Sequence, residues 1–331
     1  MSMTQTKRVV NDRLALRQTL SNNGILIGFL AIVLLLSIFA KGFFTIGNLV
    51  TILKQVSAIG IATIGVGMLI IMNCNDLSIG SMFALCGVTA GLTVSTGTGG
   101  FGLHPVLGFA VGIATGVAFG LLNGAIVAKG RIPAFIVTMG TQSIARGLAL
   151  ILAHGMPVGS FPAAFNYLGT ASIDGDGLIP WSVVIFLAVI LVMNFVMRKL
   201  PIGRYAYAVG GNEDAARVAG INVDKVKMLI YVIEGALLGL AGTLMASRLK
   251  SAAPAMGVGY ELDAIAGAII GGVSFTGGIG TVGGMVLGAM MIGVINNGMD
   301  LIGVEAFYKQ LVKGSIIIAA VLIDRKRSGR S

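Results

Sequence analysis

Apolar blocks alternate with short polar breaks from residue 24 onward. The blocks cover residues 24–40, 49–72, 79–94, 105–127, 133–153, 179–197, 228–247, 260–272, 282–296 and 307–323. Runs of this kind read as membrane-crossing helices, so the pattern predicts an all-α polytopic membrane protein with about ten transmembrane helices. A polar stretch at 1–23, with Lys7, Arg8, Arg13 and Arg17, precedes the first block, and Asp324, Arg325, Lys326 and Arg327 follow the last. Lys and Arg concentrate on the cytoplasmic side of a membrane, which places the N-terminal segment 1–23 and the tail 324–331 in the cytosol. The run 154–177 has no Lys or Arg and two acids, Asp174 and Asp176, and is the predicted external loop. Arg248 and Lys250 are the basic residues that fall on the unexpected side.

Hydrophobic residues make up 56% of the 331 and charged residues 11%, against about 25% charged in a soluble domain. Nothing of useful size remains outside the blocks, so the chain reads as a single transmembrane domain over 1–331. The net charge of +10 sits at the ends and in short loops, the distribution of a membrane topology and not of a nucleic-acid surface. No clear small-residue cleavage signal follows the first block. Cys74 and Cys86 lie in or beside apolar segments without metal-ligand spacing, and no phosphate-cradling GxxxxGK[ST] run or nucleophile with a spaced base is present. Neither a cofactor, a metal nor a catalytic group is therefore expected.

One long charged segment, residues 198–227, lies between two apolar blocks, with six Lys or Arg against three acids. The same charge rule makes it cytoplasmic. Within it Glu213 to Gly220 reads as a short helix: Asn212 is the N-cap, Glu213 and Asp214 fill the first turn, Arg217 follows, and Gly220 is the stop. Such a helix is either a solvated loop element or a contact for something in the cytosol.

Gly108, Gly112, Gly116, Gly120 and Gly124 recur every fourth residue, which puts them on nearly one face of a helix and lets another helix approach closely. Gly280, Gly284 and Gly288 repeat the device, and the two blocks end alike, in GLLNG at 120–124 and GVINNG at 293–298. Each follows a segment that opens with an acid, Asp76-Leu-Ser-Ile-Gly-Ser in one and Glu261-Leu-Asp263-Ala-Ile-Ala in the other. The predicted topology enters the first from the cytoplasm and the second from outside, the pattern of an inverted repeat. General likeness among glycine-rich helices is the competing explanation.

Charge at membrane depth needs water, a partner or an interface, so Asp76, Glu234, Glu261, Asp263, Arg248, Lys309 and Lys313 stand out. Asp76 lies with Asn73, Asn75 and Ser78 in a break after a long apolar run, where freed backbone must be satisfied internally or line a wet cavity. It can cap the following helix or face a substrate hydroxyl.

NDLSIGS at 75–81, GLLNG at 120–124, GRYAYAVGGNEDAARVAGINVDKVK at 203–227 and YELDAIAGAIIGGVSFTGGIGTVGG at 260–284 together resemble the permease subunit of bacterial ATP-binding-cassette sugar importers, the ribose, galactose, xylose, arabinose and inositol type. The likeness runs through nearly all the chain after about residue 20. It implies a homodimeric, multi-pass permease in the lipid of the bacterial inner membrane, two cytosolic ATPase subunits, a periplasmic sugar-binding protein and a monosaccharide substrate. Gly211, Asn212, Glu213, Asp214, Ala216, Arg217 and Gly220 resemble the family's ATPase-coupling helix. Asn75, Asp76, Ser78 and Ser81, with Glu261 and Asp263, resemble its two broken-helix regions near the translocation path. Glu234 departs from the family's usual small, polar or apolar residue. An ion-coupled secondary transporter of a small polar solute is the alternative that an inverted repeat and Asp76 would also suit. A membrane enzyme is disfavoured by the lack of clustered catalytic groups.

Overall fold

The computed structural model describes residues 24–328, so the expectation for 1–23 lies outside the described residues. In chain order the helices are α1 (Gly24–Phe39), α2 (Ile46–Ile71), α3 (Ile79–Val94), α4 (Pro105–Gly130), α5 (Ala134–Leu152), α6 (Ala163–Thr170) and α7 (Trp181–Lys199). They continue with α8 (Pro201–Gly211), α9 (Glu213–Val218), α10 (Val223–Leu249), α11 (Tyr260–Ile270), α12 (Val282–Ile302) and α13 (Ala306–Ser328). No strand forms among the described residues, only two isolated bridges, Val158 with Ala252 and Ser172 with Pro180. Each of the ten apolar blocks is a helix, and α6, α8 and α9 lie between them.

Side chains start several helices. Thr45 accepts a hydrogen bond from Asn48 N at the head of α2, and Thr281 accepts from Gly284 N at the head of α12. His104 does the same for α4, where Pro105 occupies a first-turn position that needs no N–H donor. The two unforeseen helices are short and take their stability from packing. In α6, Phe165 is fully buried against Ala90 and Val94 of α3. In α8, Gly203, Ala206, Val209 and Gly210 form one buried stripe.

α2, α3 and α10 form the centre. α2 is buried without interruption from Val56 to Ile71, and α3 is buried at all but two positions. Their neighbours turn apolar faces outward: Leu34 and Ile38 on α1, Leu191 on α7 and Phe307 on α13 are exposed. That inversion of the soluble pattern suits lipid or another membrane chain. Six helices, α2, α4, α5, α7, α10 and α12, are long and apolar enough to cross a membrane, and α1 and α3 are shorter apolar helices. The chain is therefore an all-α, multi-pass membrane protein.

The foreseen glycine face packs α4 against α10. Gly108, Gly112, Gly116, Gly120 and Gly124 are all buried, and added Cβ atoms at Gly116 and Gly120 would meet the backbone carbonyls of Gly235 and Tyr231. In the second half Gly284 and Gly288 of α12 approach the backbone of Gly271 and Gly267 in the same way.

The block at 260–272 is not a whole crossing. α11 has 11 residues, roughly 16 Å of helix against a hydrocarbon core of about 30 Å. The chain before it supplies the rest of the path. Ala252 exchanges backbone hydrogen bonds with Val158 at 2.8 and 3.0 Å, and Gly257 lies against Gly80 and Phe83 of α3. Residues 252–259 thus run back along α3 as a series of turns outside any α-helix, and α11 begins where they end.

Candidate coupling and translocation sites

α9 is built as the sequence predicts. Asn212 accepts from Ala215 N at 2.9 Å, the acids occupy the first turn, and the helix gives way to Gly220 at φ +84°. Its last helical residue is Val218, two before the predicted stop. Glu213 takes Lys227 at 2.7 Å and Arg217 at 3.0 Å, and Arg217 also reaches Asp224 at 2.9 Å. Burial pulls the Glu213 carboxyl upward, but the hydrogen bonds and charges of Lys227 and Arg217 outweigh it and hold its pKa below the usual range. These pairs fasten α9 to the start of α10.

The helix has an inner and an outer side. Ala216 is 4% exposed and packs into the chain, whereas Val218 is 90% exposed. Gly211, Asn212, Asp214, Arg217 and Gly220 are exposed as well. Of the seven residues assigned by resemblance, Glu213 and Ala216 therefore anchor the helix and Asp214 is offered outward, beside Val218, which is not among the seven. Val218 was not singled out from sequence; a valine at the end of a polar helix was the available signal. Beside α9 a cavity of about 540 Å3 is lined by Asn73, Cys74, Arg131, Asp214, Arg217 and Lys227 among others.

α8 joins this platform to the first break. Gly278 N donates to Ile71 O at 2.8 Å, Tyr207 donates its hydroxyl hydrogen to Gly280 O at 2.8 Å, and Gly210 packs on Ile71. The end of α2, the loop 271–281 and α8 are thus one bonded unit. α2 stops through Asn73 at φ 56°, a left-handed conformation that asparagine tolerates better than most residues.

Beyond that turn, Asp76 Oδ1 accepts from the backbone N of Ser78 at 2.5 Å and from its hydroxyl at 2.6 Å. This is an Asx turn two residues ahead of the chain's re-entry into helix, and Ser78, not Asp76, occupies the cap position of α3. Asn123 donates to Asp76 Oδ2 and to Ser78 Oγ, both at 3.4 Å. The carbonyl of Asn75 accepts from the Tyr231 hydroxyl at 3.2 Å. Asp76, Ser78 and Ser81 are all buried, and so is Glu234, whose two carboxyl oxygens have no hydrogen-bond partner.

The second break has its own acid and amide. Asn296 donates to Asp263 Oδ2 at 3.1 Å, and Lys313 donates to the same oxygen at 2.7 Å. Lys309 pairs with Asp300. Two of the cations flagged at membrane depth thereby acquire carboxylates. Each break thus pairs a buried acid with an amide from a glycine-rich helix, but the positions are not equivalent: the counterpart of Asn123 by the Asn-Gly endings is Asn297, which bonds Asn48 instead.

Glu261 does not join Asp263. Its carboxylate lies beside Gly80, so the structure brings Glu261 to the first break region through the head of α3. Arg146 of α5, a residue the sequence gave no reason to select, holds the unwound stretch: its Nη1 donates to the carbonyls of Pro254 and, at 3.1 Å, Met256. Backbone outside regular structure at this depth needs such partners, and a guanidinium supplies them.

Over residues 48–321 the chain matches the family described as branched-chain amino acid transport system / permease component. It is 38% identical over 323 residues to the ribose import permease protein of Escherichia coli (strain K12), covering 97% of this chain and 99% of that one. It is 36% identical over 311 residues to the L-arabinose ABC transporter permease protein of Azospirillum brasilense, 94% and 89% of the two chains. The D-allose transport system permease protein of Escherichia coli (strain K12) is 38% identical over 285 residues, 86% and 85%.

Proposed function

The chain belongs to this family of transport-system permease components, and from that premise we propose that it is the membrane-spanning subunit of an ATP-driven importer of a monosaccharide. The family sets aside the ion-coupled carrier considered from sequence. The similar proteins are ribose, L-arabinose and D-allose permeases, which supports the sugar class. In this reading two copies sit in the bacterial inner membrane with both termini in the cytosol. A periplasmic binding protein delivers the sugar, and cytosolic ATPase subunits hydrolyse ATP. The permease itself contributes positioning and a path, not bond chemistry.

The observation that carries the proposal is α9. A capped, ion-paired helix that turns Asp214 and Val218 outward has the form of a docking element; the pair of Glu213 with Lys227 fixes it to α10, and Ala216 is its buried side. α8 and the loop 271–281 connect the same platform to the break at 72–78. Asn75, Asp76, Ser78, Ser81, Glu261 and Asp263 are assigned to the two broken-helix regions along the path.

Membrane vesicles carrying the complete transporter test this reading. Uptake of labelled D-ribose, L-arabinose or D-allose should require ATP and an intact ATPase and should survive an uncoupler. Uptake that persists without the ATPase and stops when the ion gradient collapses would contradict it.

A further inference from the structure

Glu234 of α10 takes part in none of the ion pairs that hold the two breaks together. It is 1% exposed, and both of its oxygens are buried as atoms with no donor in reach. Gly65 of α2 closes one side of it: a Cβ added there would come within 3.0 Å of the Glu234 Cγ. One turn earlier Tyr231 gives its hydroxyl hydrogen to Asn75 O, so this face of α10 looks onto the break that follows α2. There the Glu234 carboxyl meets that of Asp76, itself 1% exposed. Among the described residues no Lys or Arg pairs with either acid, and Lys227, about two turns away at the head of α10, is held by Glu213 at 2.7 Å.

Two carboxylates in contact, shut off from water and from any cation, cannot both be ionised. Contact between two acceptors is no hydrogen bond until one of them carries a proton, and the surroundings decide which one does. Asp76 is furnished for charge: its Oδ1 accepts from the N–H and the O–H of Ser78, and its Oδ2 accepts from Asn123. Hydrogen bonds received in this way favour the carboxylate. Glu234 receives none, and a protonated acid needs none, since it is itself a donor. The other titratable side chains at this corner, Tyr231 and Cys74, are neutral in their ordinary protonated forms and bring no charge. Paired acids whose environments differ so sharply divide the roles, one neutral and one ionised.

We propose that Glu234 keeps its proton in the folded protein and donates it to Asp76, so that a single buried proton fastens α10 to the break at 72–78. The bond joins a neutral acid to a carboxylate, the stronger, charge-assisted kind. Without the proton, two negative charges would face each other at the point where α2 gives way to α3. The fastening does not depend on what the permease carries.

Infrared spectroscopy of the full chain in lipid reads that proton directly. Near neutral pH the spectrum should contain the C=O stretch of a protonated carboxylic acid that moves when glutamate is isotopically labelled at its side-chain carboxyl carbon. Glu234→Gln should remove this band. Asp76→Asn should keep it and raise its frequency, because an amide oxygen is a weaker acceptor than a carboxylate. Isotope labelling of the unaltered chain decides the matter even if neither variant assembles. The reactivity of Cys74, two residues before Asp76, supplies a second readout in a Cys86→Ala background. Glu234→Gln retains a donor and should leave the rate of thiol labelling unchanged, whereas Glu234→Leu should raise it about tenfold. Absence of a protonated glutamate band near neutral pH would overturn the proposal. So would a band that Asp76→Asn abolishes and Glu234→Gln leaves in place, or equal Cys74 rates in the Gln and Leu variants.

Discussion

Gly116 of α4 and Gly235 of α10 touch backbone to backbone: a Cβ added to either would strike the carbonyl of the other. The same added atom at Gly116 would lie 2.9 Å from Gly239 N, and one at Gly235 would lie 3.0 Å from Gly120 Cα. Neither helix can yield by rotating a side chain, because the obstruction is main chain. Gly116→Leu should therefore destabilise the protein by at least the 1–3 kcal/mol typical of overpacking, on the order of a misassembled bundle. Thermal unfolding of the purified permease measures this, and an unchanged midpoint would contradict the packing described.

Arg146 holds two carbonyls of the unwound stretch. Arg146→Met keeps much of the apolar stem and removes both donors, leaving Pro254 and Met256 unsatisfied at about 1–3 kcal/mol for each buried group. The variant should unfold at lower temperature and become sensitive to proteolysis between residues 250 and 260. Lys in the same place should restore only part of the loss, since it lacks the planar fork. Equal stability of the Met variant and the unmodified chain would show that the stretch does not depend on this side chain.

The break residues show how much of the site was legible. The helix at 213 could be read from its cap, acids and glycine, whereas the amide partners of Asp76 and Asp263 could not, because the matching Asn-Gly endings point to Asn297, which bonds Asn48. The side of the helix on which Ala216 lies could not be read. A single alanine in a short polar helix does not reveal which side faces the protein, and only the contact with the bundle decides that it is buried. Arg146 was hidden for a related reason: its partners are backbone carbonyls more than a hundred residues away. α6 and α8 escaped because eight and eleven residues carry too few turns for periodicity to stand out, and tertiary packing stabilises them.

The ion pairs of α9 give it a pH dependence. Glu213 is held below the usual carboxylate range by Lys227 and Arg217 against the opposing effect of burial. A depressed carboxyl contributes stability that is present above its unfolded pKa and is lost as pH falls through its folded one. Amide hydrogen exchange in 213–218, corrected for intrinsic rate, should stay slow from neutral pH down to about 5 and accelerate only below about 4. Acceleration already near pH 6 would mean that another group anchors the helix.

Orientation is open to a direct check. A membrane-impermeant thiol reagent added from outside should modify Gly175→Cys and spare Asn212→Cys, in a background lacking Cys74 and Cys86. The reverse pattern would invert the topology and place α9 on the wrong side for a cytosolic ATPase.

The central claim is that the outward side of α9 receives the ATPase. Asp214→Lys with Val218→Asp changes that side alone, leaving Ala216, Glu213 and their anchoring contacts in place. Loss of the exposed apolar contact that Val218 offers a partner, together with a reversed charge, should weaken docking by about 2–4 kcal/mol, a thirtyfold or greater fall in affinity. The measurement is ATPase recovered per permease on co-purification, taken from the same membranes as permease abundance and sugar uptake. The account predicts normal abundance with ATPase recovery and uptake both lost; full recovery and normal uptake in the double variant would contradict it.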